Sequence, residues 1–515
     1  MTTIPTMTAS PDDPKPRSVR TLRCLAAGKV ALLVALFSVA ALQEARHLQS
    51  LTDPGVWLPL RMGNWILDNH SFPHSGLFSR SDGLDWSDPN WGSQVLLATI
   101  YRIIGLRAIP VMQMVIRVLI AVVMFLLAGG RRGGFWFAII LSLSAQLVMF
   151  GASNQFLLLN AILLSVELWA LLSSRTVGRQ GLLSWIPLLV LFWANLDWHF
   201  VFGLVTLFLF LTAAFVEQTR GIKTYAHLGA HLALSRMTMI AIASCAASLL
   251  SPASYHSYAV AWQNLFGDVG LALSPELKPM NFRTPSHYLL MLLAMFAFFV
   301  LGRQQARDVF KVMSLAVGVS VGFAFQSETW IIAVVSVAIL GDGFFPAKGQ
   351  TNQQSHSPKF GLWAVTVIVL IVLGVSASRI PSRADILLGV TATKLPVRSC
   401  DFIRQNHLPR PIFNELSWGG FLTWYLPDYP VSMDERHELY GEENLKSYYQ
   451  AATGRQLTSE YPALTSANTF LLSPENGLAR IPQMYPDPQA VFQAAFPGFH
   501  EVYRDKLAVV FSNQK

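Results

Sequence analysis

The side chains best suited to chemistry stand at the ends of long apolar runs in this 515-residue chain. Asp53 follows the first such run, and Asp197 and His199 stand two residues apart between two later runs. Ionisable residues at the end of a membrane span face water or the protein interior, because contact with acyl chains is costly. Positions two apart on a helix do not share a face. Asp197 and His199 could therefore line one cavity if the helix breaks there; capping or helix pairing is the alternative.

A group of three carboxylates lies in the loop after the first apolar run. Asp82, Asp85 and Asp88 are spaced three apart, and their oxygens could bind a divalent cation; solvated loop carboxylates are the alternative. No other cofactor is predicted. Asp53 also has a simple structural explanation, because Asp before Pro often begins a turn or caps a helix.

The composition decides which solvent surrounds most of the chain. Hydrophobic residues make up 52% of the sequence and charged residues only 13%, whereas a soluble domain has about 25% charged residues. Most of the chain must therefore lie in lipid. The net charge of +8 comes from basic residues spread over short loops, which excludes a nucleic-acid-binding stripe.

Apolar runs of about 17–25 residues predict membrane helices, because the backbone must satisfy its own hydrogen bonds in lipid. The sequence predicts about eleven, near 25–44, 108–128, 134–151, 155–173, 183–199, 200–216, 236–251, 286–302, 309–325, 328–342 and 360–378. Lys and Arg concentrate in alternate loops on the side of the amino terminus. The positive-inside rule then places the amino terminus in the cytoplasm and the carboxyl end outside it.

Three regions follow from this pattern: a basic cytoplasmic tail (1–24), a transmembrane domain (25–379) with a long exterior loop (45–107), and an extracytoplasmic domain (380–515). Segment 94–106 is apolar but too short to span, which predicts an interfacial helix. The last region reads as a small soluble α/β domain, with a helix at 397–407, strands at 411–414, 431–434 and 469–473, and a hairpin at 501–503 and 508–512. Trp418-Gly-Gly420 is expected to be a tight packing point. Asp434 and Arg436 are expected to form a structural ion pair or to dock onto the membrane domain.

Three stretches carry a resemblance to a known family. They are Asp53-Pro-Gly-Val-Trp57-Leu-Pro-Leu-Arg61 in the first loop, Trp193-Ala-Asn195-Leu-Asp197-Trp-His199 at a span end, and Met433-Asp434-Glu-Arg436 with Tyr440-Gly441 in the last domain. Together they resemble bacterial membrane glycosyltransferases of the GT-C superfamily, related to the oligosaccharyltransferase and protein-mannosyltransferase architectures. The chain looks like a diverged member with a carboxyl-terminal extracytoplasmic domain.

The resemblance implies a polytopic α-helical fold in the bacterial inner membrane and transfer of a sugar from a polyprenyl-phosphate carrier. The acceptor would be an envelope glycan, lipid or protein. Such a transfer needs a carboxylate as general base, and Asp53 is the candidate by position. Arg61 could bind phosphate through its planar guanidinium, although snorkelling at the interface is the alternative. The other candidate substrate-binding residues are Trp57, Asn195, Asp197 and His199.

Several positions depart from the family pattern. Gly55 and Pro59 stand where the family has an acidic residue and a histidine, and Asp197 stands where it has a histidine. Gln326-Ser327-Glu328 replaces a late arginine. These departures favour an alternative function, that of a non-catalytic binding or assembly partner in envelope biogenesis. A transporter is disfavoured, because we find no half-to-half repeat.

Overall fold

The structure is a computed structural model. It describes residues 19–80, 84, 86–130, 134–149, 155–176, 179–221, 234–267, 278–304, 308–344, 362–452, 462–476, 478 and 496–513.

The first two thirds of the chain form a bundle of apolar helices. In chain order they are α1 (Val19–His47), α2 (Trp57–Asn69), α3 (Trp91–Ile104), α4 (Ala108–Leu127), α5 (Phe135–Met149), α6 (Gln155–Thr176), α7 (Ile186–Ala194), α8 (Phe200–Thr219), α9 (Leu234–Ser248), α10 (His256–Phe266), α11 (Pro285–Arg303), α12 (Val309–Ala324), α13 (Thr329–Phe344) and α14 (Leu362–Ala377). Each predicted span overlaps one of these helices. Among the described residues, six helical segments are long and apolar enough to cross a membrane, and five further apolar helices have 10–17 residues. The chain is thus a multi-pass membrane protein, and the number of its spans stays a prediction.

The predicted long loop after α1 is largely helical. α2 and α3 pack closely because Gly63 brings their backbones together: a Cβ there would lie 2.1 Å from the carbonyl oxygen of Gln94. α3 corresponds to the predicted interfacial segment and leaves Ile103 76% exposed. It ends at Gly105, whose φ of 63° suits a residue without a side chain.

Buried ion pairs join four helices at the end of the bundle away from the α7–α8 and α12–α13 turns. Arg175 of α6 binds Asp308 (Nη1 to Oδ1, 2.6 Å) and Glu217 of α8. Lys311 of α12 binds Asp342 of α13 (Nζ to Oδ2, 2.6 Å). Buried charges are tolerable when they are paired in this way, so these contacts fix the helices at this end. The basic-loop pattern did not reveal them.

The carboxyl-terminal domain contains a four-stranded sheet in the order β1-β2-β4-β3, flanked by short helices. Its strands are β1 (Ile412–Asn414), β2 (Thr469–Leu472), β3 (His500–Arg504) and β4 (Val509–Ser512), and its helices are α15 (Ala384–Thr391), α16 (Val397–Gln405), α17 (Gly419–Tyr425), α18 (His437–Ala452) and α19 (Pro462–Thr465). β1 pairs with β2 in parallel, and the other pairings are antiparallel. The predicted helix near 397–407, two of the three separate strands and the terminal hairpin are therefore confirmed.

The predicted strand at 431–434 is wrong. Among the described residues, Val431 forms a single parallel bridge, with Ser79 of the first loop. The rest of the segment is held by the side chain of Asn414, which accepts from the backbone N–H of Ser432 (2.8 Å) and donates to the carbonyl of Met433 (2.8 Å). An amide side chain here takes the place of a neighbouring strand.

The two parts of the chain meet where α17 packs on α2. The Trp57 ring is fully buried there, 4.5 Å from the ring of Trp424 and 5.3 Å from that of Phe421 between centroids. Gly420 lies against Leu58, since a Cβ on Gly420 would come within 2.9 Å of the Leu58 Cβ. The predicted tight packing point at Trp418-Gly-Gly420 is confirmed.

Gly419→Ala is expected to destabilise the carboxyl-terminal domain by about 1–3 kcal/mol, the usual cost of overpacking. Its new Cβ would lie 2.3 Å from the carbonyl oxygen of Met433, so backbone must move. Gly389→Ala in α15 is the matched control, because nothing lies within 4 Å of its Cβ position. Thermal unfolding of both variants in detergent measures the difference; equal melting temperatures would contradict the packing described.

Candidate functional site

A break between α7 and α8 positions the Asn195-to-His199 corner. The Asn195 side chain donates to the carbonyl of Leu191 (2.8 Å) and accepts from the indole N–H of Trp91 (3.1 Å). The Gly92 N–H donates to the carbonyl of Asn195 (2.9 Å). A Cβ on Gly92 would approach that same oxygen to 2.3 Å, so the start of α3 docks on the corner through a glycine.

The break brings Asp197 and His199 together, as the sequence allowed, and adds Glu328. His199 Nδ1 bonds to Asp197, and Nε2 lies 3.3 Å from Glu328 Oε1. The other oxygen of Glu328 accepts from the Trp330 indole at 2.9 Å. All three ionisable side chains are buried. We call Asp197, His199, Glu328 and Trp330 the imidazole cluster.

The charge of the imidazole cluster argues against two roles for it, those of a general base and of a phosphate-binding site. Burial alone would lower the pKa of His199, but the Asp197 and Glu328 carboxylates raise that pKa to about 10. An imidazole that already holds its proton cannot act as a general base near neutral pH. Two carboxylates around one cation also disfavour an anionic phosphate. The cluster therefore ties the α7–α8 corner to the start of α13.

His199→Gln is expected to reduce the loss of thermal stability that the protein shows as the pH rises from neutral to alkaline values. In the unfolded chain the imidazole titrates near 6.5. Because the folded pKa is higher, the stabilisation from His199 is complete below about pH 6.5 and is lost as the pH rises through about 10. Melting temperatures between pH 6 and 10 should fall more steeply for the wild type than for His199→Gln. The exposed His407 supplies the control, since His407→Gln should follow the wild type.

A second set of side chains lies where α2 meets the carboxyl-terminal domain. Asp53 caps the turn Pro54–Val56 by accepting from the Gly55 N–H at 3.0 Å, which is the turn-forming role that the sequence offered as the alternative. Arg61 places its guanidinium over the Phe78 ring at 4.7 Å. Its buried Nε has no hydrogen-bond partner among the residues that the structure describes.

Glu435 of the carboxyl-terminal domain belongs to the same place, and the sequence interpretation missed it. Its Oε2 accepts from the Gly420 N–H at 3.1 Å. Burial raises its pKa well above the usual value, and the charges of Asp434 and Asp53 raise it further. Its Oε1 is buried and, within the described part of the chain, has no partner. We call Asp53, Arg61, Gly420 and Glu435 the junction site.

The predicted ion pair of Asp434 and Arg436 is confirmed and holds the junction together. Arg436 Nη2 lies 2.6 Å from Asp434 Oδ2 and donates to the carbonyl of Leu77 at 2.8 Å. Its guanidinium also lies 4.9 Å from the centre of the Trp86 ring. One arginine thus connects the carboxyl-terminal domain to the first loop.

The acidic loop residues are only partly covered by the structure. Asp82 and Asp85 lie outside the described residues. Asp88 is buried, accepts from the Asn90 N–H at 2.8 Å, and has a pKa raised to about 6, chiefly by burial. The described residues contain no group of three or more His, Cys, Asp or Glu side chains that could hold a metal ion. A divalent cation at the three aspartates stays a prediction.

Comparison with known proteins gives two similar solved structures. One is a crystal structure of ArnT from Cupriavidus metallidurans bound to undecaprenyl phosphate: TM-score 0.46, 12% identity, covering 95% of this chain and 98% of that chain. The other is ArnT from Cupriavidus metallidurans in the apo state: TM-score 0.45, 13% identity, covering 96% and 98%. No protein-family model and no curated protein matches the sequence.

At these scores and identities the similarity says nothing about substrates or residue roles in this chain, which rest on its own geometry. In the structure the predicted site residues fall into two groups, one at the junction site and one at the corner between α7 and α8. Asp53 and Arg61 belong to the junction site, and Trp57 packs in the core beside it. Asn195, Asp197 and His199 form the corner, where hydrogen bonds to one another and to the surrounding protein hold them.

Proposed function

We propose that this chain is a membrane glycosyltransferase that moves a sugar from a polyprenyl-phosphate carrier to an envelope glycan, lipid or protein. The reaction would take place at the junction site, on the extracytoplasmic face of a bacterial inner membrane. The proposal rests on the sequence resemblance together with one structural observation, the placement of Asp53.

That observation is a carboxylate fixed by its own turn, whose charge acts on a second carboxyl group, that of Glu435. Asp53 would take the proton of the acceptor hydroxyl while the acceptor oxygen bonds to the anomeric carbon. The bond from that carbon to the phosphate oxygen breaks, and the polyprenyl phosphate leaves with the electron pair. Arg61 is the cation available to stabilise the leaving phosphate, and a carboxylate held in one orientation needs no reorganisation during transfer.

The non-catalytic alternative is favoured by the imidazole cluster. By the resemblance, the turn before α13 should carry an arginine, a cation suited to phosphate. Instead Glu328 points at His199 there. A partner protein that no longer binds a sugar donor would tolerate a glutamate in place of this arginine. It would also tolerate substitution of Asp53.

The test is a comparison of envelope glycans and glycolipids by mass spectrometry in a deletion strain. We expect one glycan or lipid to lack a single sugar, and expression of the wild-type chain to restore it. Direct transfer by purified protein from polyprenyl-phosphate sugars to an extract of the deletion strain would then identify the donor. An unchanged set of glycans in the deletion strain would contradict the proposal.

A further inference from the structure

A small cavity with polar walls lies within the helix bundle and shares no lining residue with the junction site. It contains about 250 Å³ of empty space, counted with its open mouth, and its polar walls are Gln43 of α1, Arg117 of α4 and Gln146 of α5. The other lining side chains are apolar, among them Met149 and Leu158. Pockets that enclose drug-sized ligands measure about 300–1,000 Å³. This cavity is smaller, so it suits one compact polar group and not a sugar chain.

The two glutamines have unsatisfied hydrogen-bonding atoms. Nε2 of Gln43 and both Nε2 and Oε1 of Gln146 are buried, and none of these atoms has a hydrogen-bond partner among the described residues. A polar atom buried in this way costs free energy unless something bonds to it. Two amides that line one cavity with unbonded N–H groups therefore indicate a ligand that accepts hydrogen bonds.

The charge beside the two glutamines is positive. Arg117, which is only 6% exposed, lines the same cavity. Its charge acts on the Glu44 carboxylate, but Glu44 accepts from the N–H (3.1 Å) and the hydroxyl (2.5 Å) of Ser50 and is not one of the lining residues. Within the described part of the chain, the cavity is thus lined by a cation and two amides without a carboxylate. Phosphate oxygens are the acceptors that best match such walls.

The position of the cavity along its helices corresponds to the depth of lipid headgroups. Gln43 lies one turn before the end of α1, and Gln146 about one turn before the end of α5. One turn rises about 5.4 Å, and the headgroup region of a leaflet is about 5–8 Å thick. Val39 of α1 and Leu147 of α5, which neighbour lining residues in the chain, are each 51% exposed. Lipid therefore reaches both helices at the level of the cavity.

We propose that this cavity binds the phosphate of a bilayer phospholipid, in the leaflet on the side of the carboxyl-terminal domain. The amide N–H groups of Gln43 and Gln146 donate to the phosphate oxygens, and Arg117 supplies the opposite charge. None of the lining residues is a candidate base, so the lipid is held and not consumed. Because α1, α4 and α5 all contribute to the site, the bound headgroup joins three helices. The proposal does not depend on sugar transfer.

The first test measures the melting temperature of the purified full-length chain, freed of lipid in detergent. We expect dioleoyl-phosphatidylglycerol to raise it, and dioleoylglycerol, which has the same acyl chains without the phosphate, to leave it unchanged. Equal effects of the two lipids would mean that only acyl chains are recognised, and would overturn the proposal. An unchanged melting temperature with both lipids, which a water-filled cavity predicts, would overturn it too.

Two competitors distinguish the sources of the phosphate. Inorganic phosphate alone should give none of the shift, and a full shift would mean that the site takes a free anion. Polyprenyl phosphate at equal concentration should not displace dioleoyl-phosphatidylglycerol. If it does, the cavity belongs to the sugar carrier and the proposal fails.

Gln43→Met and Gln146→Met locate the binding site, because methionine keeps the length of the side chain and has no N–H group. Each change removes unsatisfied buried atoms, so the lipid-free variants should melt no lower than the wild type. They should nevertheless need about tenfold more dioleoyl-phosphatidylglycerol for the same shift, the order expected for a hydrogen bond to a charged group. Gln218→Met, at an exposed position of α8, is the matched control and should follow the wild type. An unchanged lipid response in both cavity variants would place the lipid elsewhere and overturn the proposal.

Discussion

Asp53→Asn is expected to lower kcat for sugar transfer by about 10²- to 10⁴-fold, the usual contribution of a positioned general base. The fold should survive, because the oxygen of asparagine can still accept from the Gly55 N–H that Asp53 binds. Membranes adjusted to equal protein content are assayed with radiolabelled polyprenyl-phosphate sugar, and the deletion strain is complemented with the variant.

Asp68→Asn is the matched control for that experiment. Asp68 lies near the end of α2, the helix that follows the turn capped by Asp53. It forms an exposed ion pair with Arg102 (2.5 Å). Exposed pairs contribute little, so this variant should transfer sugar at the wild-type rate. Equal rescue of the deletion strain by Asp53→Asn and Asp68→Asn would remove Asp53 from the chemistry and favour the non-catalytic partner.

Arg436→Met is expected to destabilise the carboxyl-terminal domain by about 3–5 kcal/mol, because removing one partner strands a buried charge. Asp434 is 0% exposed and Arg436 only 4% exposed. The variant also loses the bond to Leu77 and the stacking on Trp86. We therefore expect faster proteolysis of the first loop as well as a lower melting temperature.

A second ion pair of the same domain provides the comparison. Arg504 and Glu501 are each 36% exposed, so Arg504→Met should cost less than about 1 kcal/mol. Combining Arg436→Met with Asp434→Asn removes the stranded charge and should recover part of the lost stability. If Arg436→Met and Arg504→Met behaved alike, the junction would not depend on this ion pair.

Local pattern was enough for the helices and for part of the site. An apolar run forms a helix whatever its neighbours are, because the backbone in lipid has no other partner. The sequence also predicted the pairing of Asp434 with Arg436, two residues apart, and named Asp197 and His199 together. In each case the decisive contact lies within a few residues.

The features that the sequence did not predict depend on contacts between distant parts of the chain. The sequence marks Glu328 only as part of a segment that replaces an arginine, because its bond to His199 joins residues 129 positions apart. In the sequence, Glu435 is one more charge between Asp434 and Arg436, and its bond to Gly420 of α17 reaches back 15 residues. The incorrect prediction of a strand at 431–434 has the same cause. The residue pattern within this segment does not show that Val431 forms a bridge with Ser79 of the first loop.

The joining of the first loop to the last domain sets an order of events during synthesis. The carbonyl of Leu77 can accept its hydrogen bond only after Arg436, 359 residues later, has been synthesised. At 5–20 residues per second that delay is roughly 20 to 70 s. Until Phe421 and Trp424 have been made, late in this interval, the indole of Trp57 has neither ring to cover it. A ribosome that stalls before residue 419 therefore leaves a membrane-inserted chain with an uncovered aromatic face, the kind of surface that quality-control proteases and chaperones recognise.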